Sequence, residues 1–169
     1  MKFRLEQCFA RPLGEIEDAF VDPDLFVHLC GIDDIGRPTL LKRVDEGGTV
    51  RMQVRYTFTG ELSPTLTAIV EPHHLTWVEV STLDRDTHRT AFNIIADHYP
   101  DRMRCAGTVE LIDDGQGGTR RVALGSLDAR IPLIRDYVEG AIVKGLLKYA
   151  ATEANIVGDW LVSRRQAET

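Results

Sequence analysis

The sequence predicts an α+β domain in which an antiparallel sheet of about seven strands packs against one long C-terminal helix. Short runs of alternating apolar and polar residues are separated by turn sequences such as Glu46-Gly47-Gly48, and this pattern is typical of antiparallel strands. No proline follows Pro132, and the segment after it carries one continuous apolar stripe. Because a sheet with one buried face needs an apolar partner, we expect this helix to lie across the sheet.

The chain opens with a strand and two short helices. Residues 1–10 alternate apolar with mostly polar side chains, which predicts a strand that is buried on one face. Residues 12–22 have helical spacing, and Asp22 precedes Pro23, where a first helix should end and a second begin. Gly31 should stop the second helix. Two helices directly after the first strand are an uncommon order.

The middle of the chain predicts about six further strands. The most regular of them has an inward set and an outward set, and the inward set is Val50, Met52, Val54, Tyr56 and Phe58. Residues 84–88, 99–101 and 113–118 have turn compositions. Residues 61–74 contain Pro64 and Pro72 and receive no prediction.

The final segment predicts a helix of about 30 residues, or about 45 Å. Its apolar stripe consists of Ile134, Val138, Ile142, Gly145, Tyr149, Thr152, Ile156 and Trp160. Glycine inside a helix costs about 1 kcal/mol relative to alanine. A glycine on the buried stripe, as expected for Gly145, leaves room either for close packing or for a bound molecule.

Composition excludes several classes of partner. With a net charge of −6, the chain lacks the basic surface that nucleic acids or anionic membranes require. No apolar run approaches the roughly 20 residues of a membrane span, and the first residues do not resemble a signal peptide. Three separated cysteines without a CxxC pair indicate reduced thiols and a cytoplasmic protein. The length predicts a single domain over residues 1–169.

Motifs for nucleotide or metal chemistry are not found. The sequence has no GxSxG, P-loop or GxGxxG motif, so we expect no nucleotide and no cofactor. The five histidines show neither HxxxH nor HxH spacing. The spacing therefore predicts no metal site.

The order of elements resembles the helix-grip superfamily, which includes START lipid-transfer domains, birch-pollen-allergen-like proteins and polyketide cyclases (SRPBCC proteins). The segments that carry the resemblance are "MKFRLEQCFARPLGEIEDAFVDPDLF" and "ARIPLIRDYVEGAIVKGLLKYAATEANIVGDWL", and they look most similar to an uncharacterised bacterial branch. The resemblance implies a strongly curved sheet in β-α-α-β6-α order that grips the long helix. It also implies a cavity between sheet and helix that holds an apolar molecule.

The lining of such a cavity should come from the inward strand faces, the helix stripe and the second short helix. The candidate ligand-binding residues are Phe26, Leu29, Met52, Val54, Tyr56, Phe58, Phe92, Ile94, Val138, Ile142 and Tyr149. The alternative is that these side chains form a solid core. Among them, a buried tyrosine needs a hydrogen-bond partner, which makes Tyr56 and Tyr149 the candidate polar contacts.

Glu79 and Tyr56 are the candidate catalytic residues. If Trp77 faces inward, Glu79 shares its face, and an apolar setting would raise the pKa of its carboxyl group towards a range useful for proton transfer. Because Val78 and Val80 compete for the inward face, we expect Glu79 to be solvated. We also expect Glu139 to form a surface ion pair with Arg135, four residues before it.

Three functions are consistent with these observations. The first is binding or carriage of a lipid-, sterol- or polyketide-like molecule. The second is a polyketide cyclase or dehydratase that uses the same cavity, where positioning and exclusion of water would provide much of the rate. The third is an interaction module with a filled core, whose partner is another protein or a second copy.

Overall fold

The computed structural model describes residues 1–32 and 34–167, so the predicted domain over residues 1–169 extends beyond the described residues at three positions. The predicted order of elements is confirmed. The elements are β1 (Lys2–Phe9), α1 (Leu13–Val21), α2 (Pro23–His28), β2 (Thr39–Glu46), β3 (Thr49–Thr57), α3 (Pro64–Thr67), β4 (Thr76–Asp84), β5 (Arg89–Ala96), β6 (Met103–Asp113), β7 (Thr119–Ala129) and α4 (Arg135–Ala167).

All seven strands form one curved antiparallel sheet in the order β1-β7-β6-β5-β4-β3-β2. The first strand, β1, pairs with the last strand, β7. The two edges of the sheet are β1 and β2. Consecutive strands from β2 to β7 are neighbours. Short connections predict this pairing, except between β3 and β4, which residues 58–75 separate. A register shift between Leu40 and Lys42 interrupts the ladder at the β2 edge.

Two paired glycines allow close packing of backbone and ring atoms at the β6–β7 pair. Gly107 on β6 lies opposite Gly125 on β7. A Cβ atom on Gly125 would lie 2.3 Å from the Phe3 ring, and one on Gly107 would lie 2.2 Å from the carbonyl oxygen of Leu124. Glycine is therefore required at both positions, because ring and backbone occupy the space that a side chain would need.

The long helix α4 has 33 residues, or about 50 Å, and it packs most closely against β1 and β7, with α2 against it as well. The predicted stripe is partly wrong. Gly145 is exposed, and no atom would lie within 4 Å of an added Cβ. Glu139 and Glu153 are buried. The stripe was predicted from apolar residues, and it therefore omitted both glutamates. They can be buried because polar partners replace water around each carboxylate.

The core consists of two main clusters. The larger one joins α1, α2, β1 and β3 to the C-terminal half of α4, and its buried members are Phe9, Ile16, Ala19, Leu25, Phe26, Leu29, Ile32, Val54, Val157 and Trp160. The second lies under the N-terminal half of α4 and is built on Phe3, Cys105 and Leu127. Among the described residues, no helix is both long and apolar enough to cross a membrane, and the three cysteines are free.

Two buried glutamates form ion pairs that connect α1 and α4 to the rest of the molecule. In the first, Glu17 of α1 is 4% exposed and contacts Arg85 at 3.0 Å and His88 at 2.7 Å in the β4–β5 turn. In the second, Glu139 is 2% exposed and contacts the N-terminal ammonium group at 2.8 Å and the Ala129 amide at 2.9 Å, besides the predicted partner Arg135. Glu139 is therefore buried and contacts three groups, whereas the sequence predicted only a surface ion pair with Arg135.

Replacing Glu139 with glutamine should destabilise the protein at neutral pH. The hydrogen bonds from the ammonium group, the Ala129 amide and Arg135 hold the pKa of the Glu139 carboxyl group at about 2, below its ordinary value. A lowered pKa stabilises the fold above the unfolded pKa and loses this effect as pH falls towards the folded value. The difference in melting temperature between wild type and Glu139→Gln should thus shrink on acidification. Asp159→Asn, an exposed change on the same helix, should show no comparable trend.

Candidate functional site

Strand register places Glu79 on the concave face of the sheet, beneath α4. Residues directly opposite on neighbouring strands share a face, and one such row runs through Val54, Glu79, Ile94, Cys105 and Leu127. Leu127 and Cys105 are buried in the core, so the whole row faces inward. The expectation that Glu79 is solvated was wrong.

The neighbouring row explains why Glu79 rather than Val78 faces inward. Trp77 pairs with Tyr56, and their rings are stacked with centroids 5.8 Å apart and an interplanar angle of 11°. The Tyr149 ring of α4 meets Tyr56 edge-on at 6.2 Å. A large aromatic cluster on the inner face decides the orientation of β4, since successive side chains alternate, and it turns Val78 outward.

The inner face of β3, β4 and β5 is less tightly covered than that of β1 and β7, against which α4 packs. Five inward side chains of these strands keep part of their surface accessible, namely Met52, Tyr56, Glu79, Phe92 and Ile94, whereas Val54 and Ser81 on the same face are buried. Their surroundings nevertheless desolvate Glu79 and Tyr56 strongly. Enclosed but accessible side chains are typical of the wall of a cavity.

Two surface depressions are found elsewhere on the molecule, although the first shares Ile94 and Cys105 with the inward row. One, of about 460 Å³, is lined by residues of β5, β6 and β7 near Pro100 and Asp128. The other, of about 310 Å³, lies between α2 and the end of α4, beside His28 and Trp160. Neither contains Tyr56 or Glu79, so neither offers the polar groups of the concave face.

Burial perturbs the acids of the concave face. Desolvation raises the pKa of the Glu79 carboxyl group to about 7, opposed by Arg121 and supported by Glu153. It also raises the pKa of the Tyr56 hydroxyl well above its ordinary value, and that of the Cys105 thiol to about 11. Glu79 can therefore release or accept a proton near neutral pH, whereas the phenol and the thiol stay protonated.

A polar network borders the aromatic cluster. The Gln7 amide donates to the Ala150 carbonyl at 2.6 Å and to Glu153 at 3.0 Å, and its oxygen accepts from Arg121 at 2.5 Å. Arg121 also lies 3.6 Å from the Glu153 carboxylate and packs over the Phe20 ring at 4.2 Å. Gln7 and Glu153 are both buried. The buried Glu153 carboxylate therefore has Gln7 as a hydrogen-bond partner and Arg121 as an ion-pair partner.

The Tyr149 hydroxyl differs from the side chains of this network in its hydrogen bonding. It is the only buried side-chain polar atom without a hydrogen bond of normal geometry in residues 1–32 and 34–167. Burial and the charges of Glu153 and Glu79 raise the pKa of Tyr149 far above its ordinary value, although interaction with the Tyr56 hydroxyl opposes the rise. A bound oxygen atom at normal hydrogen-bond distance would complete the hydrogen bonding of this hydroxyl.

The structure brings most of the predicted lining residues together. Those that lie on the inner strand face or on the inner side of α4 are Met52, Val54, Tyr56, Phe92, Ile94, Val138, Ile142 and Tyr149. Phe58 lies just beyond β3, in a bridge with Ile35. Phe26 and Leu29, at 7% and 2% exposure, belong to the packed core.

Sequence reasoning missed four polar or aromatic residues of the site: Trp77, Gln7, Arg121 and Glu153. Gln7 and Arg121 lie opposite each other on β1 and β7, so only the pairing of the first with the last strand brings them together. Alternation along β1 places Gln7 on the same face as Phe3, Leu5 and Phe9. This pattern could have predicted from the sequence that Gln7 faces inward.

The fold is that of the helix-grip class, and comparisons agree. A structure of TTHA0849 from Thermus thermophilus has a TM-score of 0.65 at 16% identity, covering 93% of this chain and 97% of that one. The Zhui aromatase/cyclase from Streptomyces sp. R1128 has a TM-score of 0.63 at 13% identity, with 92% and 93% covered. Norcoclaurine synthase from Thalictrum flavum has a TM-score of 0.61 at 17% identity, with 96% and 86% covered. At these identities, the likeness concerns the fold.

The chain belongs to the family described as "Protein of unknown function (DUF2505)", whose profile matches residues 5–161. None of the curated proteins matches the chain by sequence. The matched region begins within β1 and covers the other six strands and most of α4.

Proposed function

We propose that the protein binds an apolar small molecule of lipid, sterol or polyketide type between α4 and the concave face of β3–β5. The observation that carries this proposal is the Tyr149 hydroxyl, which is buried near Tyr56 and Glu79 without a hydrogen bond of normal geometry, on a face that is otherwise mainly apolar. The walls supply hydrophobic contact, and the few polar groups orient the ligand. The ligand therefore carries at least one oxygen, as a carbonyl or hydroxyl group, that pairs with Tyr149. The resemblance further implies a bacterial branch of the superfamily.

A pair of adjacent substitutions tests this proposal. Ile94 lies in the inward row, and its neighbour Ile95 pairs with Val78 on the outer face and is 47% exposed. Ile94→Trp should fill the cavity and weaken binding of the fluorescent probe anilinonaphthalenesulfonate about tenfold or more, whereas Ile95→Trp should leave it unchanged. Native mass spectrometry of the purified protein should also detect a co-purifying apolar molecule.

A filled interior would give a different result. Overpacking a solid core costs about 1–3 kcal/mol, so Ile94→Trp would then lower the free energy of unfolding, and the wild type would bind no probe. That outcome would remove the cavity and favour an interaction module that binds another protein or a second copy. Probe binding that is equally strong in Ile94→Trp and Ile95→Trp would also contradict the proposed position.

A second candidate, an enzyme of the cyclase or dehydratase type, is favoured by the ionisation of Glu79. General acid–base catalysis works best when the pKa of the group lies near the working pH, and the pKa of Glu79 is raised to about 7. Ring closure by an aldol reaction removes a proton from the carbon beside a carbonyl group and delivers one to the acceptor oxygen. The Glu79 carboxylate would accept the first proton, and Tyr56 or Tyr149 would donate a hydrogen bond to the oxygen.

Turnover of a linear poly-β-ketone substrate distinguishes the enzyme from the carrier. For an enzyme, Glu79→Gln should abolish turnover while retaining binding, Tyr56→Phe should reduce it, and the rate should rise with pH through an apparent pKa near 7. Glu110→Gln, an exposed change on β6, serves as the control. Tight binding without turnover in the wild type would leave carriage as the function.

A further inference from the structure

The segment between β3 and β4 brings an acid and two histidines together. It contains α3 and then a turn of 3-10 helix at Pro72–His74, for which the sequence made no prediction. Within the described residues, Glu71, His73 and His74 offer one ligand atom each, and the three atoms lie within 4.8 Å of one another. All three residues have at least partly accessible side chains.

We propose that Glu71, His73 and His74 form a site for a divalent transition metal, with Zn²⁺ as the best match. The Glu71 Oε2 atom lies 3.1 Å from His73 Nε2 and 3.5 Å from His74 Nδ1. Two ligands that each bind zinc at about 2.0–2.1 Å with tetrahedral angles are separated by about 3.3 Å. The two spacings from Glu71 are thus close to the edge of a zinc tetrahedron, and all three ligand atoms lie within 4.8 Å of one another.

The donor set and its support agree with this metal. Two imidazoles and a carboxylate are typical of zinc sites that keep one open position. The His74 ring is stacked on His98 of the β5–β6 loop, with centroids 4.3 Å apart and an angle of 21°. The Glu71 amide and the Tyr99 hydroxyl are 3.5 Å apart. A second loop therefore holds His74 and Glu71 in place.

The position of the cluster suggests what the open coordination site contacts. The ends of β3, β5 and β7 and the starts of β4, β6 and α4 lie at one end of the molecule, as the antiparallel topology requires. Tyr137 of α4 donates to Ser63 at 3.0 Å and connects the helix to this segment. The fourth metal position would take water or an anionic group of a molecule at this end of the cavity. The metal site itself does not depend on the proposed function.

The sequence predicted no metal site because its histidines have neither HxxxH nor HxH spacing. Adjacent histidines cannot share a metal on an extended strand, where successive side chains face opposite ways. On a 3-10 turn the side chains project at about 120° intervals, and the turn lets Glu71 approach both rings.

Calorimetric titration of the full-length protein, stripped of metal with EDTA, with ZnCl₂ tests the proposal. We expect one zinc ion per chain. Since losing even an outer-shell partner weakens metal sites by about 10–100-fold, His73→Ala and His74→Ala should each weaken binding about tenfold or more. His28→Ala should have no effect, because His28 lies on α2 beside Trp160.

The exposed thiols of Cys8 and Cys30 are the other zinc ligands to consider, so the variant carrying Cys8→Ser and Cys30→Ser is a second control and should bind zinc like the wild type. Circular dichroism should show that the histidine variants are folded. Absence of zinc binding, unchanged affinity in the variant that carries both His73→Ala and His74→Ala, or loss of binding in the cysteine variant would each overturn the proposal. In those cases, Glu71 and the two histidines form only ion pairs.

Discussion

Glu79→Gln should make the protein more stable than the wild type at alkaline pH and equally stable at acidic pH. The pKa of the Glu79 carboxyl group is raised from 4.5 to about 7 in the folded protein. A raised carboxyl pKa means that the folded state holds the proton more tightly than the unfolded state. Its contribution to stability is therefore complete below the unfolded pKa and is lost as pH rises through 7. Glutamine resembles the protonated acid and does not ionise.

The expected gain at about pH 8.5 is up to about 3 kcal/mol, since each pKa unit corresponds to 1.36 kcal/mol. Urea unfolding of both proteins at about pH 5 and about pH 8.5 measures it. Glu110→Gln, an exposed carboxylate on β6, should leave the pH profile close to that of the wild type. A Glu79→Gln protein that is less stable at alkaline pH, or that differs equally at both pH values, would show that Glu79 is not desolvated.

Gly107→Ala should be among the most destabilising single methyl additions in the chain. Its Cβ atom would lie 2.2 Å from the carbonyl oxygen of Leu124 and 2.8 Å from the Phe92 ring. The ring can rotate away, but the carbonyl belongs to the β6–β7 ladder and moves only if β6 and β7 separate. We expect a loss of about 3 kcal/mol, the upper part of the range for overpacking, or roughly 6–12 °C in melting temperature for a chain of this size.

Gly145→Ala is the matched control for the same chemical change. Gly145 is exposed on α4 with no neighbouring atom within 4 Å of an added Cβ, so alanine should stabilise the helix by about 1 kcal/mol. Thermal unfolding of the two variants should move in opposite directions. A neutral Gly107→Ala variant would mean that the Leu124 carbonyl and the Phe92 ring can both move away from an added methyl group, which would contradict the expected close contact.

The two substitutions address different parts of the same site. Glu79 supplies the ionisable group, whereas Gly107 and Gly125 leave room for the Leu124 carbonyl and for the Phe92 and Phe3 rings on the same sheet. If Gly107→Ala flattens the sheet, probe binding should fall together with stability. Glu79→Gln should retain the apolar walls and hence the probe.

The order and type of elements were predictable because they depend on local pattern. The alternation in β3, the Asp22–Pro23 boundary between α1 and α2, and the absence of proline after Pro132 each act within a few neighbouring residues. The segment 61–74 was not predictable in this way. Its two prolines bracket one short helix and one 3-10 turn, which are too short to have a periodicity.

The choice of face could not be read locally where large residues competed for it. On β4, both Trp77 with Glu79 and Val78 with Val80 were consistent with an inward set. Stacking of Trp77 on Tyr56 decided it, and this contact depends on the pairing of β3 with β4.

The chain alone thus determined a seven-stranded antiparallel sheet and a C-terminal helix of about the observed length, because periodicity, turns and helix breakers act over short distances. Tertiary structure decided which charged residues are buried. Glu139 and Glu153 look like surface residues in the sequence, and both are buried beside groups ten or more positions away, such as Ala129, Arg121 and Gln7. Glu79 keeps part of its surface accessible, but it faces inward and is desolvated. Burial of a charge depends on partners that only the folded chain assembles, and the candidate site is built from such partners.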